Sequence, residues 1–156
     1  MPVLARLKDF LDKNQVQYQI HTHPETFTAQ EIAASLHVPG KELAKVVIVK
    51  SPQKFLMAVL PASFRVDMEK LKDATGESDL RLATETEFKD LFPDCEVGAM
   101  PPFGKLYNLE LFADRSLIDN QRLVFQAGSH IDTVSMKYAD FVRLAEPKVE
   151  DFARHL

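Results

Sequence analysis

The sequence predicts a single α+β domain, with helices packed around a largely antiparallel or mixed β-sheet. Three observations predict it. The chain has 156 residues, a length that suits one domain with a sizeable core. Segments with apolar residues at helical spacing are interspersed with short apolar or alternating runs of strand length. Two of those runs, Val46 to Val49 and Phe55 to Leu60, are joined by the short connection Ser51-Pro52-Gln53-Lys54, which makes them antiparallel neighbours.

Each element has its own signal. Pro2 to Asn14 reads as an amphipathic helix, with Val3, Leu4, Leu7, Phe10 and Leu11 on one face. Val16, Tyr18 and Ile20 alternate with Gln17, Gln19 and His21, the pattern of a half-buried strand. Thr28 to Glu31 fits a capping box, flanked by Phe27 and Ile32 as a hydrophobic staple. That helix stops before Val38-Pro39-Gly40. The exposed pair Lys41-Glu42 leads into the strand Val46 to Val49, whose β-branched run reads as buried on both faces. Asp67 caps a helix to about Ala74, with Gly76 as its stop. Leu80 to Leu82 is a brief strand. Thr84 to Glu87 is a second capping box, opening a helix through Phe88, Leu91 and Phe92. Leu106 to Phe112 reads as a strand, Asp114-Arg115 as a turn, Arg122 to Gln126 as a strand, and Ile131 to Met136 as one more. Tyr138, Phe141, Val142 and Ala145 mark a closing helix, and Pro147 leads into a tail. There is no internal repeat, low-complexity run or linker.

Composition narrows the function classes. Net charge is −4, which argues against a protein that grips a long stretch of nucleic acid through its phosphates, and no DNA partner is expected. A few phosphates at one end of an RNA are compatible with it. No apolar run approaches a membrane span or a signal peptide. The single cysteine, Cys95, excludes an internal disulfide and a multi-cysteine metal site. A reducing cytoplasm is the simplest compartment. Cys95 reads as a packed thiol. His21 and His23 read as strand-end surface residues, since no third ligand lies at metal-binding spacing. No metal and no cofactor are expected.

Three stretches carry chemical interest. Lys45 enters directly into the buried run, after Leu43 and Ala44. Such a lysine either snorkels to water along its stem or points into a cavity, and both readings stay open. Glu96 to Gly104 contains two glycines and two prolines within seven residues, Gly98-Ala99-Met100-Pro101-Pro102-Phe103-Gly104. It reads either as a tight connection or as a rigid scaffold whose N–H groups meet a carbonyl or its oxyanion. Gly128-Ser129-His130 follows a strand. Ser129 lacks the Gly-x-Ser-x-Gly elbow of a serine hydrolase, and no phosphate loop or dinucleotide fingerprint is present.

In combination, Leu43 to Lys50, Gly98 to Gly104 and Gly128 to His130 resemble, in order and spacing, the YbaK/EbsC family. This family includes the editing domain inserted in bacterial prolyl-tRNA synthetases and its free-standing relatives. The resemblance covers essentially the whole chain, so residues 1–156 are expected to form one editing domain. It implies a mixed, partly curled β-sheet with surrounding helices. It also implies an aminoacyl-tRNA deacylase that hydrolyses the ester joining a wrong amino acid, a small one on a proline tRNA or similar, to the tRNA 3′ end. Lys45 then matches the family's essential lysine. Gly98, Ala99, Met100, Pro101 and Pro102 match the loop that lines the substrate pocket. His130, with Gly128 and Ser129, matches the histidine segment near the aminoacyl group, and Asp114 matches a pocket-edge acid. In the synthetases the residue after the loop proline is typically glycine, whereas here it is Pro102. The implied partners are the acceptor end of a mischarged tRNA and an aminoacyl-tRNA synthetase that delivers it. The alternative is a non-catalytic module of the same fold that binds an amino acid or nucleotide.

Overall fold

A computed structural model describes residues 4–24, 31, 32, 34 and 40–155. Along the chain run α1 (Ala5–Lys13), β1 (Tyr18–Thr22), β2 (Ala44–Lys50), β3 (Phe55–Pro61), β4 (Phe64–Val66), α2 (Met68–Thr75), β5 (Arg81–Leu82) and α3 (Glu85–Phe88). They are followed by β6 (Glu110–Asp114), β7 (Arg122–Gln126), β8 (Asp132–Lys137), α4 (Tyr138–Ala145), β9 (Lys148–Glu150) and β10 (Ala153–His155). The α+β class and the mixed pairing are as the sequence predicts. The expected single curled sheet is instead three sheets, ordered β5-β2-β3-β6-β9, β1-β8-β7 and β10-β4. One parallel bridge, Leu43 to Val124, joins the first sheet to the second.

Local chemistry explains most boundaries. Ser51 closes the β2–β3 turn: its N–H donates to the Lys54 carbonyl at 2.9 Å, and its hydroxyl accepts from the N–H groups of Gln53 and Lys54. The strands then pair antiparallel from Ala44–Pro61 to Lys50–Phe55. Asp67 caps α2 by accepting from the Lys70 N–H, and Thr84 and Glu87 form the reciprocal capping box of α3. The first of the two predicted capping boxes, at Thr28 to Glu31, lies largely outside the described residues.

Four expectations fail locally. Leu106 and Tyr107 are not strand but part of a 3-10 turn, Gly104–Tyr107. The chain doubles back there so tightly that a Cβ on Gly104 would sit 2.3 Å from the Leu109 carbonyl oxygen. The strand starts only at Glu110. Ile20 is 41% exposed, on a strand that among the described residues lies at the edge of its sheet beside β8. His23 is buried rather than on the surface. The stretch after Pro147, read only as a tail, holds two strands: β9 joins β6 in parallel and β10 pairs with β4.

Two main apolar clusters result. The larger holds Leu4 just before α1, Leu7 and Leu11 of α1, Ala44 and Ile48 of β2, Phe103, Leu123 and Phe125, and Phe141 of α4. Phe103 is its centre, with edge-to-face contacts to Phe10, Phe125 and Phe141 at 5.6–5.7 Å. The second lies on the opposite face of β2 and β3, around Val49, Leu56, Leu60, Leu71, Phe112 and Phe152.

Candidate functional site

The two glycine-containing segments are stitched to each other. Glu96 donates its N–H to the Gly128 carbonyl at 2.8 Å, and Gly128 donates its N–H to the Ala99 carbonyl at 2.8 Å. His130 completes the join. Its main-chain N–H donates to a Glu96 carboxylate oxygen at 2.9 Å, and its ring lies 2.8 Å from the Val97 carbonyl. A carbonyl only accepts, so His130 Nε2 carries the proton. Nδ1 is then the acceptor facing the Gln126 amide nitrogen at 3.4 Å. The Val97 carbonyl and the Gln126 amide thus set the orientation of this imidazole, and the Glu96 carboxylate holds the main chain that carries it.

Gly98 sits beneath that ring. Its φ is +87°, a conformation that L side chains adopt only at a cost. An added Cβ would meet His130 Cε1 at 3.5 Å, an ordinary contact, so backbone conformation rather than crowding calls for glycine here. The Gly98 N–H faces the Met100 thioether at 3.3 Å. A thioether is a weak acceptor, so this N–H is only weakly held. By contrast, the amides of Ala99, Gly128 and His130 are all committed to protein oxygens.

Strand register brings Lys45 to the same neighbourhood. The parallel bridge sets Leu43 beside Val124. Two residues further along each chain, on the same face, come Lys45 and Gln126. Gln126 in turn faces His130. Lys45 is half-buried and makes no hydrogen bond or ion pair with any described residue. Burial pushes its pKa below the ordinary lysine value. Lys50, at the other end of the strand, pairs with Glu87 at 3.5 Å and lies against the Phe55 ring.

The remaining predicted site residues divide. Ala99, Met100, Pro101 and Pro102 are buried behind the exposed stretch Glu96 to Gly98. They shape the loop from within the core. The Ser129 hydroxyl donates to Asp132 at 2.6 Å and accepts from the Ile131 N–H, which fixes the turn that carries His130. Asp114 is elsewhere in the fold. It is buried, accepts from the N–H groups of Phe152 and Ala153 at 2.9 and 2.8 Å, and is bonded by the Ser116 hydroxyl. It fastens the C-terminal segment to β6. Cys95 is a packed thiol in contact with the Tyr107 hydroxyl at 3.1 Å, and burial raises its pKa to about 11.

Two residues of the site, Glu96 and Gln126, escape motif reading. Each lies just outside a glycine motif, and only the join between the two segments shows what they hold. Among the described residues no group of three or more His, Cys, Asp or Glu side chains is placed to hold a metal ion. Among them, too, no helix is long and apolar enough to cross a membrane.

Comparison with known proteins bears on this arrangement. The family model for the aminoacyl-tRNA editing domain matches residues 23–144. A multifunctional Ser/Thr-tRNA deacylase, ProXp-y, of Escherichia coli (strain K12) is 27% identical over 154 residues, covering 96% of this chain and 92% of that protein. A proline–tRNA ligase of Bacillus cereus (strain AH187) is 28% identical over 94 residues, 60% of this chain and 16% of that much longer protein. The crystal structure of a candidate trans-editing enzyme for prolyl tRNA synthetase superposes with a TM-score of 0.82 at 19% identity. That superposition covers 96% of this chain and 95% of that one, and it speaks for the fold.

Proposed function

Because the chain belongs to the aminoacyl-tRNA editing domain family, we propose that it is a trans-acting aminoacyl-tRNA deacylase. It hydrolyses the ester between a wrongly attached amino acid and the 3′-terminal ribose of a tRNA. The whole chain, residues 1–156, serves as one editing domain: α1, outside the matched stretch, contributes Leu7 and Leu11 to the main core, and Phe152 anchors the far end. The E. coli relative is named for Ser- and Thr-tRNA. The substrate proposed for this chain is correspondingly a small amino acid on a proline tRNA or similar, delivered by a synthetase partner.

The observation that carries this reading is Lys45: a half-buried cation without a hydrogen-bond or ion-pair partner among the described residues, on the face it shares with Gln126 and through it with His130 and Gly98. An aminoacyl ester is already activated, so positioning and charge stabilisation suffice for hydrolysis. Water adds to the carbonyl carbon, and negative charge collects on the carbonyl oxygen. The Lys45 ammonium and the weakly held Gly98 N–H stabilise that oxygen. The tetrahedral intermediate collapses as the ribose oxygen leaves and takes up the proton that the attacking water gives up. The imidazole of His130, its Nε2 proton committed to the Val97 carbonyl, acts as a wall that places the aminoacyl group. Selection rests on size: one methylene is worth only about 1–3 kcal/mol in an apolar pocket, so large side chains are excluded rather than weakly bound.

The test is to incubate the protein with tRNAs carrying serine, threonine, alanine, cysteine and proline and to follow release of the amino acid. Release of one or more small residues, with cognate prolyl-tRNA spared, is expected. Binding without release across the panel would instead mark a recognition module.

A further inference from the structure

A concavity lies at the opposite end of the β7–β8 hairpin from His130. It has a volume of about 460 Å³ and is lined by Asn120, Gln121, Arg122, Lys137, Tyr138 and Ala139. Arg122 and Lys137 are directly opposed across the antiparallel pair. Like charges in that position repel, and no carboxylate among the described residues pairs with either. The Arg122 guanidinium donates only to the neutral Ser135 hydroxyl and the Gln19 amide oxygen. Lys41 is exposed at the same corner, where its carbonyl is held by the Asn120 side-chain amide at 2.9 Å; it too has no carboxylate partner among the described residues. The nearest acid on α4, Asp140, is turned to Arg143 at 3.3 Å.

The second, independent observation is Asn120 itself. Its side chain is only 5% exposed, it lines the concavity, and its Oδ1 has no hydrogen-bond partner. A buried amide oxygen without a donor is costly, at about 1–3 kcal/mol. Two uncompensated cations call for an anion, and an orphaned acceptor calls for a hydroxyl. A ribonucleotide offers both, as a phosphodiester and a ribose 2′-OH.

We propose that this concavity is a second RNA contact, which takes one phosphodiester–ribose unit of the substrate tRNA away from the reacting end. The proposal rests on the deacylase reading for the identity of the RNA. Arg122 and Gln126 are four residues apart on β7, about 13 Å at strand rise. The phosphate bound here therefore belongs to a different nucleotide from the one whose ester is cleaved. A contact at this position secures the acceptor arm without touching the chemistry.

The experiment measures two quantities for wild type, Lys137→Gln and the double variant Arg122→Gln/Lys137→Gln. The first is binding of an uncharged acceptor-arm RNA hairpin, by fluorescence anisotropy across a salt series. Each neutralised phosphate contact should lower the salt slope by about one, with roughly a tenfold weaker Kd for the double variant at moderate salt. The second is deacylation of the charged hairpin, where KM should rise and kcat should hold. Lys137→Gln alone removes no hydrogen bond seen in the structure, so it reads the charge even if replacing Arg122 disturbs the sheet. Unchanged binding and KM in both variants would overturn the second contact while leaving the deacylase reading intact. Loss of RNA binding in the variants, in a protein that releases no amino acid, would sustain the contact and sink the catalytic assignment.

Discussion

Lys45 concentrates the conflict between stability and function in one residue. Its pKa is lowered by burial alone, so the folded chain holds that proton less tightly than the unfolded chain does. Stability therefore rises with pH between the lowered value and the ordinary one, and the penalty is fully present below the lowered value. Replacing Lys45 by methionine removes the penalty and keeps the stem. Lys45→Met is expected to melt no lower than wild type, within about 1 kcal/mol, while single-turnover deacylation falls about 10²–10³-fold, the loss typical of one oxyanion donor. Lys50→Ala, which gives up a pair with Glu87 and a contact with the Phe55 ring, should stay near wild type in rate. Equal rates in the two variants would remove lysine from the mechanism. The sequence reveals the oddity of Lys45, a cation at the mouth of an apolar strand. It does not reveal Gln126, because what makes Gln126 matter is a bridge between residues 43 and 124.

Among the elements, the C-terminal strands depend on a single carboxylate. Burial by itself would raise the Asp114 pKa; hydrogen bonds from Ser116, Phe152 and Ala153 outweigh it and leave the group below the ordinary aspartate value. A carboxylate with a lowered folded pKa adds stability that is present above its unfolded value, about 3.9, and is lost as pH falls through the folded one. Asp114→Asn should cost about 2–3 kcal/mol near neutral pH, the worth of a few hydrogen bonds to a charged acceptor. The gap to wild type should close in acid. Urea unfolding from about pH 7 down to about pH 2 measures it, and a gap independent of pH would mean that the charge is irrelevant. This residue also shows where sequence reading stops. Caps, turns and amphipathic helices depend on neighbours within a few positions, and those at Asp67, Thr84 and Tyr138 are legible. The role of Asp114 depends on amides nearly forty positions away, and β9 and β10 are strands only because β6 and β4 accept them.

For the whole molecule, net charge is −4, and the cations without a carboxylate partner among the described residues are dispersed, with Lys45 on β2, Arg122 and Lys137 on β7 and β8, and Arg65 and Arg154 on β4 and β10. RNA binding should therefore neutralise few phosphates, and the slope of log affinity against log salt should be shallow, about −1 to −3. A slope steeper than about −6 would require a broad basic surface. The architecture has a practical corollary for anyone re-engineering substrate choice. Residues 96–99 and 128–130 exchange hydrogen bonds in both directions, and Leu4 lies 3.0 Å from where a Gly128 Cβ would be while donating its N–H to the Ala127 carbonyl. These segments behave as one inheritable cassette rather than as separate loops. A chimera that imports the first glycine segment from a relative, without the second and the helix beneath it, would carry mismatched halves of a clasp. Only joint transplantation of all three segments should transfer a new amino-acid preference.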